Sequence, residues 1–347
     1  MRPPFRADQV GSLLRPSYLA KARKDRALQD KAILEAIRKQ EEIGLEGITD
    51  GELRRDWWHL DFLTQIEGVA ARVNPGPKFG GTEEQPPIPI VTGKLRYAKP
   101  IMVDDFAFLK SNTRKTAKIT IPSPSMLHLR AGRAGIAYAD MDEFWSDAAA
   151  VYRDAIAAFA RAGCTYLQLD DVAFAYLCDP KIREACRRNG DDPDRLPRRY
   201  SQTIKDSLRD KPKGMTVAMH TCRGNFKSAW VAEGGYEPVA EAMFQSGVDA
   251  FFMEFDSERA GTFEPLRFVP KGKKVVLGIV SSKIGVLEEK SFLKKRIDEA
   301  AKFVPLEDLC LSPQCGFSST HHGNQLTQDE QWKKLARVVE TAKEVWK

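Results

Sequence analysis

An α/β fold closed as a (β/α)8 TIM barrel is what this sequence predicts, and three observations lead there. Short apolar segments alternate with longer amphipathic ones about eight times, the number such a barrel needs. The short segments are largely continuous hydrophobic runs, as strands covered by helices on both faces are. Where each run gives out, polar or charged residues follow, and barrel enzymes gather their chemistry at that end of the strands.

The predicted strands are residues 5–10, 45–49, 117–121, 165–169, 215–219, 250–254, 274–280 and 308–311, mostly bounded by Gly, Pro or charged residues. Amphipathic helices are predicted over 27–42, 141–162, 201–209, 238–246, 291–303 and 328–346. The last opens on Thr327-Gln328-Asp329-Glu330, a capping box in which hydroxyl and carboxylate satisfy backbone N–H groups at the helix start. Gly44, Gly163 and Gly247 fall where a helix must turn sharply into the next strand. Between Arg72 and Pro100 the alternation breaks. Pro75, Pro77, Pro86, Pro87 and Pro89 with Gly76, Gly80 and Gly81 read as a loop inserted, at about 72–100, into one barrel domain spanning residues 1–347. Neither side of that stretch makes a complete fold alone, which argues against a linker.

The net charge is +6, but Lys and Arg are interleaved with Asp and Glu along the helical stretches, as solvated helix faces require. The densest basic spots, Arg187-Arg188 and Arg195 to Arg199, lack interleaved aromatics, so no nucleic-acid partner is expected. No run approaches the roughly 18 apolar residues of a membrane span, so no membrane partner is expected either. Six cysteines without framework spacing, and a start at Met1-Arg2-Pro3-Pro4 without an apolar signal segment, predict a reduced cytoplasmic location. A homo-oligomer is compatible with all of this.

The strand ends carry Gly11-Ser12, Asp50-Gly51-Glu52, Pro122-Ser123-Pro124-Ser125, Asp170-Asp171, His220-Thr221-Cys222, Glu254 with Asp256, Ser281-Ser282-Lys283 and Gln314-Cys315-Gly316. His220, Cys222, Glu254 and Cys315 supply an imidazole, two thiolates and a carboxylate, a set suited to tetrahedral Zn²⁺. Their spacing leaves open that they are ordinary polar residues at strand ends. Ser12, Ser123 and Ser281 are candidates either for a site or for capping the next helix. Glu52, Asp170 and Asp171 are costly at buried strand ends unless paired, and Arg54, Arg55 or a bound ammonium group could pair them. His59 and His128 read as structural. His321-His322 lies in a Gly/Ser loop, facing substrate or solvent, and Cys164, Cys178, Cys186 and Cys310 read as packing thiols.

On these residues the chain resembles, over nearly its whole length, the catalytic C-terminal barrel of cobalamin-independent methionine synthase, especially the short single-barrel homologues. The fold implied is the methionine synthase/uroporphyrinogen decarboxylase type of barrel. The resemblance implies catalytic zinc on His220, Cys222, Glu254 and Cys315, the last within Ser312-Pro313-Gln314-Cys315-Gly316. It also implies that Gly11-Ser12 holds the carboxylate of homocysteine and that Glu52 and Asp170 hold its amino group. The implied reaction is transfer of a methyl group to the homocysteine thiol, a step of methionine biosynthesis.

Two departures concern the donor. The family's folate-stacking Trp after the third strand is absent from residues 121–127, and its proton-donating His after the seventh is absent from 280–284, so folate use needs a substitute such as His128, His321 or His322. The donor therefore stands open between methyl-folate, a methyl-corrinoid protein and another small methylated compound. Two alternative readings remain: alkyl transfer to a thiol such as coenzyme M, which would not need the Glu52 and Asp170 pair, and a metal-free uroporphyrinogen-decarboxylase-like barrel.

Overall fold

The computed structural model describes residues 2–73 and 86–347. Among these, seven strands form a parallel sheet curled into a barrel: β1 (Gly47–Ile48), β4 (Thr116–Pro122), β5 (Tyr166–Asp171), β6 (Thr216–Thr221), β7 (Ala250–Glu254), β8 (Lys274–Val280) and β9 (Leu309–Pro313), neighbours in that order. Two further strands, β2 (Glu67–Arg72) and β3 (Ile88–Arg96), pair antiparallel as a separate hairpin.

The period of two along each strand explains both core and site. Tyr166, Ala218, Ala250, Phe252, Val276 and Cys310 share one phase of the ladder and form, with Phe5 and Val10, a compact buried cluster. The opposite phase, including Leu167, Leu169, Met219, Phe251, Met253, Val275, Leu277 and Leu311, belongs to the larger core that also contains the helices. Asp170, His220 and Glu254 continue the first phase toward the strand C-termini, so the same alternation that packs the barrel interior points them into its mouth. Register completes the alignment by setting Asp170 opposite His220 and Thr221 opposite Met253.

The predicted first strand is not one. Residues 5–10 make only an isolated parallel bridge, Ala7 to Leu311, with backbone bonds from Asp8 N to Leu311 O (2.9 Å) and from Leu311 N to Arg6 O (2.8 Å). Toward β1, side chains replace the ladder. Thr49 Oγ1 donates to Gly11 O (2.7 Å), Gln9 bonds Gln40 and Thr49, and Asp8 receives Lys118 Nζ (3.2 Å) and Tyr166 OH (2.8 Å). A segment read as a strand is thus a seam of buried polar bonds.

The predicted loop at 72–100 also needs correction, because residues 88–96 are β3. A bulge lies between Glu67 and Val69 of β2, where Gly68 adopts φ +87° and a Cβ would collide with the Lys94 carbonyl. Pro75, Gly76, Pro77, Gly80 and Gly81 lie outside the described residues. Most helices start and end within a few residues of expectation, as Arg26–Glu42, Met141–Arg161, Lys290–Ala300 and Gln328–Val345. The predicted 201–209 begins earlier, at Leu196 with Pro197 in its first turn, and 238–246 shrinks to Ala240–Phe244. Both Thr327 and Glu330 make the reciprocal bonds of the capping box.

Candidate metal centre

His220 and Glu254 stand in the last two residues of β6 and β7, Cys222 directly follows β6, and Cys315 lies two residues beyond β9. One candidate ligand atom from each falls within 4.8 Å of all the others, and all four residues are buried. The two sulfurs are 3.5 Å apart. The Cys315 thiol is pulled well below the usual range by the hydrogen bond from Cys222 and by His220, whereas Cys222, carrying the shared proton, is pushed up.

His220 is oriented from both sides. Its Nδ1 lies 3.3 Å from Asp170 Oδ1 and its Nε2 lies 3.2 Å from Gln314 O. Burial would lower its pKa, but the bonds to Asp170 and Cys315 outweigh it and push it up to about 10. A carboxylate on a ring nitrogen is the usual partner of a metal-ligating histidine, raising its basicity and fixing its plane.

Glu254 supplies the test of fit for a cation. It is fully buried, its Oε1 accepts from Gln314 Nε2 (3.0 Å), and its Oε2 has no hydrogen-bond partner, with the Arg259 guanidinium 3.8 Å off. Burial and the neighbouring Cys315 thiolate push its pKa up. An unsatisfied buried carboxylate oxygen beside two thiols is a costly arrangement that a dication resolves, so the donor set fits zinc.

A cleft opens onto this cluster. Ser12, Glu52, Asp170, His220, Cys222 and Cys315 line it, while Gly11 and Glu254 lie behind its walls. Glu52 adopts φ +56°, uncommon outside glycine, and receives Thr120 Oγ1 on Oε1 (2.8 Å), with Arg55 3.5 Å from Oε2. Its pKa is raised to about 7, because burial and Asp170 outweigh Arg55 and Thr120. Gly11, at φ +153°, makes room for this arrangement: a Cβ there would stand 2.8 Å from Thr120 Cγ2 and 2.9 Å from Glu52 Oε1. Ser12 Oγ accepts from Ser318 N (3.3 Å), and Asp170 Oδ1 accepts from Gln168 Nε2 (2.6 Å).

Asp171 turns elsewhere, accepting the hydroxyls of Ser123 and Ser125 and the N–H of Phe174 (3.0 Å). Ser123 therefore does not cap a helix. His128 is buried between Tyr200 OH (2.9 Å) and Asp191 (3.3 Å). His321 packs edge-on against Trp57, with ring centroids 5.7 Å apart.

Several residues of the cleft went unread in the sequence. Trp57, Trp58, His59, Arg130, Asn225 and Phe226 all line it. His59, taken as structural, is 2% exposed. Burial and the Arg130 charge lower its pKa to about 3, so the ring is neutral. A pair of tryptophans before a histidine was the available signal. Its meaning depends on the bond from Trp58 N to Ser319 O (3.1 Å), which brings a loop after β1 against one after β9.

The model of the cobalamin-independent synthase catalytic domain matches residues 14–344. YxjH of Bacillus subtilis (strain 168) is 44% identical over an alignment of 359 residues, covering 99% of this chain and 95% of its own. The crystal structure of a putative vitamin-B12 independent methionine synthase from Listeria monocytogenes superposes with a TM-score of 0.80 and 36% identity, over 100% of this chain and 99% of that one. A B12-independent methionine synthase from Shewanella sp. W3-18-1, solved with selenomethionine, shares the fold at TM-score 0.74 and 19% identity, over 98% and 97% of the two chains. With the family's catalytic domain matched along almost all of its length, the chain belongs to the cobalamin-independent synthases and is a methyltransferase of that family.

Proposed function

We propose that this protein is a zinc-dependent S-methyltransferase that forms methionine from homocysteine in the cytoplasm. The observation carrying this reading is the convergence of His220, Cys222, Glu254 and Cys315 within 4.8 Å, at a cleft whose wall also holds the carboxylates of Glu52 and Asp170. Bound there, zinc lowers the pKa of an acceptor thiol, which is otherwise mostly protonated at neutral pH.

The chain's own residues account for the rest. Cys222 and Cys315 would hold the ion as thiolates, and Asp170 keeps the His220 ring in place. Glu254 would hold the ion as the one hard ligand of the set. Glu52 and Asp170 hold the ammonium of the amino acid, and Gly11-Ser12 holds its carboxylate. Coenzyme M lacks an ammonium and would leave the Glu52 carboxyl without a purpose. The methyl donor, a methyl-folate or a methyl-corrinoid protein, approaches along the wall of Trp57, Trp58 and Phe226, where Trp57 and Phe226 lie nearly parallel with centroids 6.3 Å apart.

The test combines metal analysis with an acceptor and donor screen. The purified chain is expected to bind one zinc per chain, Cys315→Ser to lose it, and homocysteine to be methylated far faster than 4-mercaptobutyrate, which lacks the amino group. A fully active zinc-free protein, or equal use of the two thiols, would overturn the reading.

A further inference from the structure

Behind the cysteines lies a charged group that the proposed chemistry does not use. Lys283, three residues beyond β8, is only 5% exposed. Its Nζ donates to Gly224 O (3.3 Å) and to Asn225 Oδ1 (3.3 Å). With its oxygen engaged by the ammonium, the Asn225 amide turns its N–H₂ the other way, toward Cys315 Sγ (3.6 Å), Gly316 O (3.0 Å) and Ser319 Oγ (3.3 Å). The contacts form one chain, from buried cation to amide to sulfur, that joins the segments after β8, β6 and β9.

Charge gives this chain a purpose. Two thiolates and a carboxylate bring three negative charges to a metal that carries two positive ones, and an entering substrate thiolate adds another. Excess negative charge in a dry site is expensive unless a counter-charge is buried with it. A hydrogen bond to a ligating sulfur also draws off electron density and sets its direction.

We propose that Lys283 is a positioning residue of the metal centre, orienting the Asn225 amide onto the Cys315 sulfur and supplying the buried positive charge that lets two thiolates and Glu254 share one cation. This rests on the zinc reading above. The experiment is competition of the purified chain with a chromophoric chelator for zinc, together with the sulfur-to-metal charge-transfer band of the cobalt(II)-substituted protein.

Lys283→Met is expected to weaken zinc binding by about ten- to a hundredfold and to shift the cobalt band, with Lys283→Arg recovering much of the affinity because it keeps the charge. Asn225→Ala is expected to shift the band with a smaller loss of affinity, since the charge remains. Lys283→Met binding zinc within twofold of the wild type, with an unmoved band, overturns the proposal. If far-UV circular dichroism shows Lys283→Met unfolded, Asn225→Ala decides, and an unchanged affinity and band in that variant overturns it equally. Failure of the wild-type chain itself to bind zinc would instead refute the metal reading, so the two failures are distinguishable.

Discussion

Glu52 holds its carboxyl at a pKa of about 7, on a backbone of φ +56°, behind Thr120 and Arg55. Its folded value lies above the ordinary 4.5, so its contribution to stability is complete below pH 4.5 and is lost as the pH rises through about 7. Substrate binding follows the opposite course, because only the ionised form attracts an ammonium. In the wild type, kcat/KM for homocysteine should therefore rise with pH through neutrality, a limb that initial-rate profiles would reveal. Glu52→Gln should abolish that limb and raise KM by about ten- to a hundredfold, the loss of a charged hydrogen bond, with zinc content unchanged. A persisting limb in the variant would remove Glu52 from the substrate site. The ligand residues were legible in the sequence because each ends an apolar run. Lys283 was visible as a strand-end residue but not its role, and Asn225 was not visible at all, since nothing local marks a loop ammonium or amide as facing inward.

At the level of elements, β4 to β9 were readable because strands buried on both faces leave unbroken apolar runs. Residues 5–10 interrupt that signature with Arg6, Asp8 and Gln9, and there Asp8 and Gln9 spend their side chains on Lys118, Tyr166, Gln40 and Thr49, so the ladder gives way to them. The hairpin β2–β3 was hidden by the prolines around it. Gly11 ties the seam to the site. Gly11→Ala would place a methyl group against Thr120 and Glu52, and is expected to raise KM for homocysteine while leaving zinc stoichiometry intact, as rate assays beside metal analysis would show. The capping box lies away from the cleft. Thr327→Ala should cost about 1 kcal/mol and lower Tm by a few degrees or less in a melt, without a change in KM.

The whole molecule explains why ligands so far apart in the sequence meet. Closing a parallel barrel sets all strand C-termini on one rim, so period and strand count, both present in the sequence, predict convergence without specifying distances. What the sequence withheld is the rim's second layer, Trp57 to His59 with Arg130 and Phe226, placed at the cleft by contacts between segments far apart in the chain, such as Trp58 N to Ser319 O. The site joins β6, β7 and the segment beyond β9, so a ligand there should stabilise the whole fold. A strong chelator is expected to lower Tm and restored zinc to recover it, by an amount that grows with free metal concentration. An identical Tm in both conditions would place the metal outside the folding equilibrium.

The 3.5 Å between the Cys222 and Cys315 sulfurs has a practical consequence of its own. Without a cation between them, a two-electron oxidant such as hydrogen peroxide, itself reduced to water, can join the pair into a disulfide that staples two strand ends and removes half of the ligand set. Purification history then decides what is observed. Protein kept reduced until metal is added should be competent, and protein exposed to air first should stay inert to zinc until a reductant reopens the bridge.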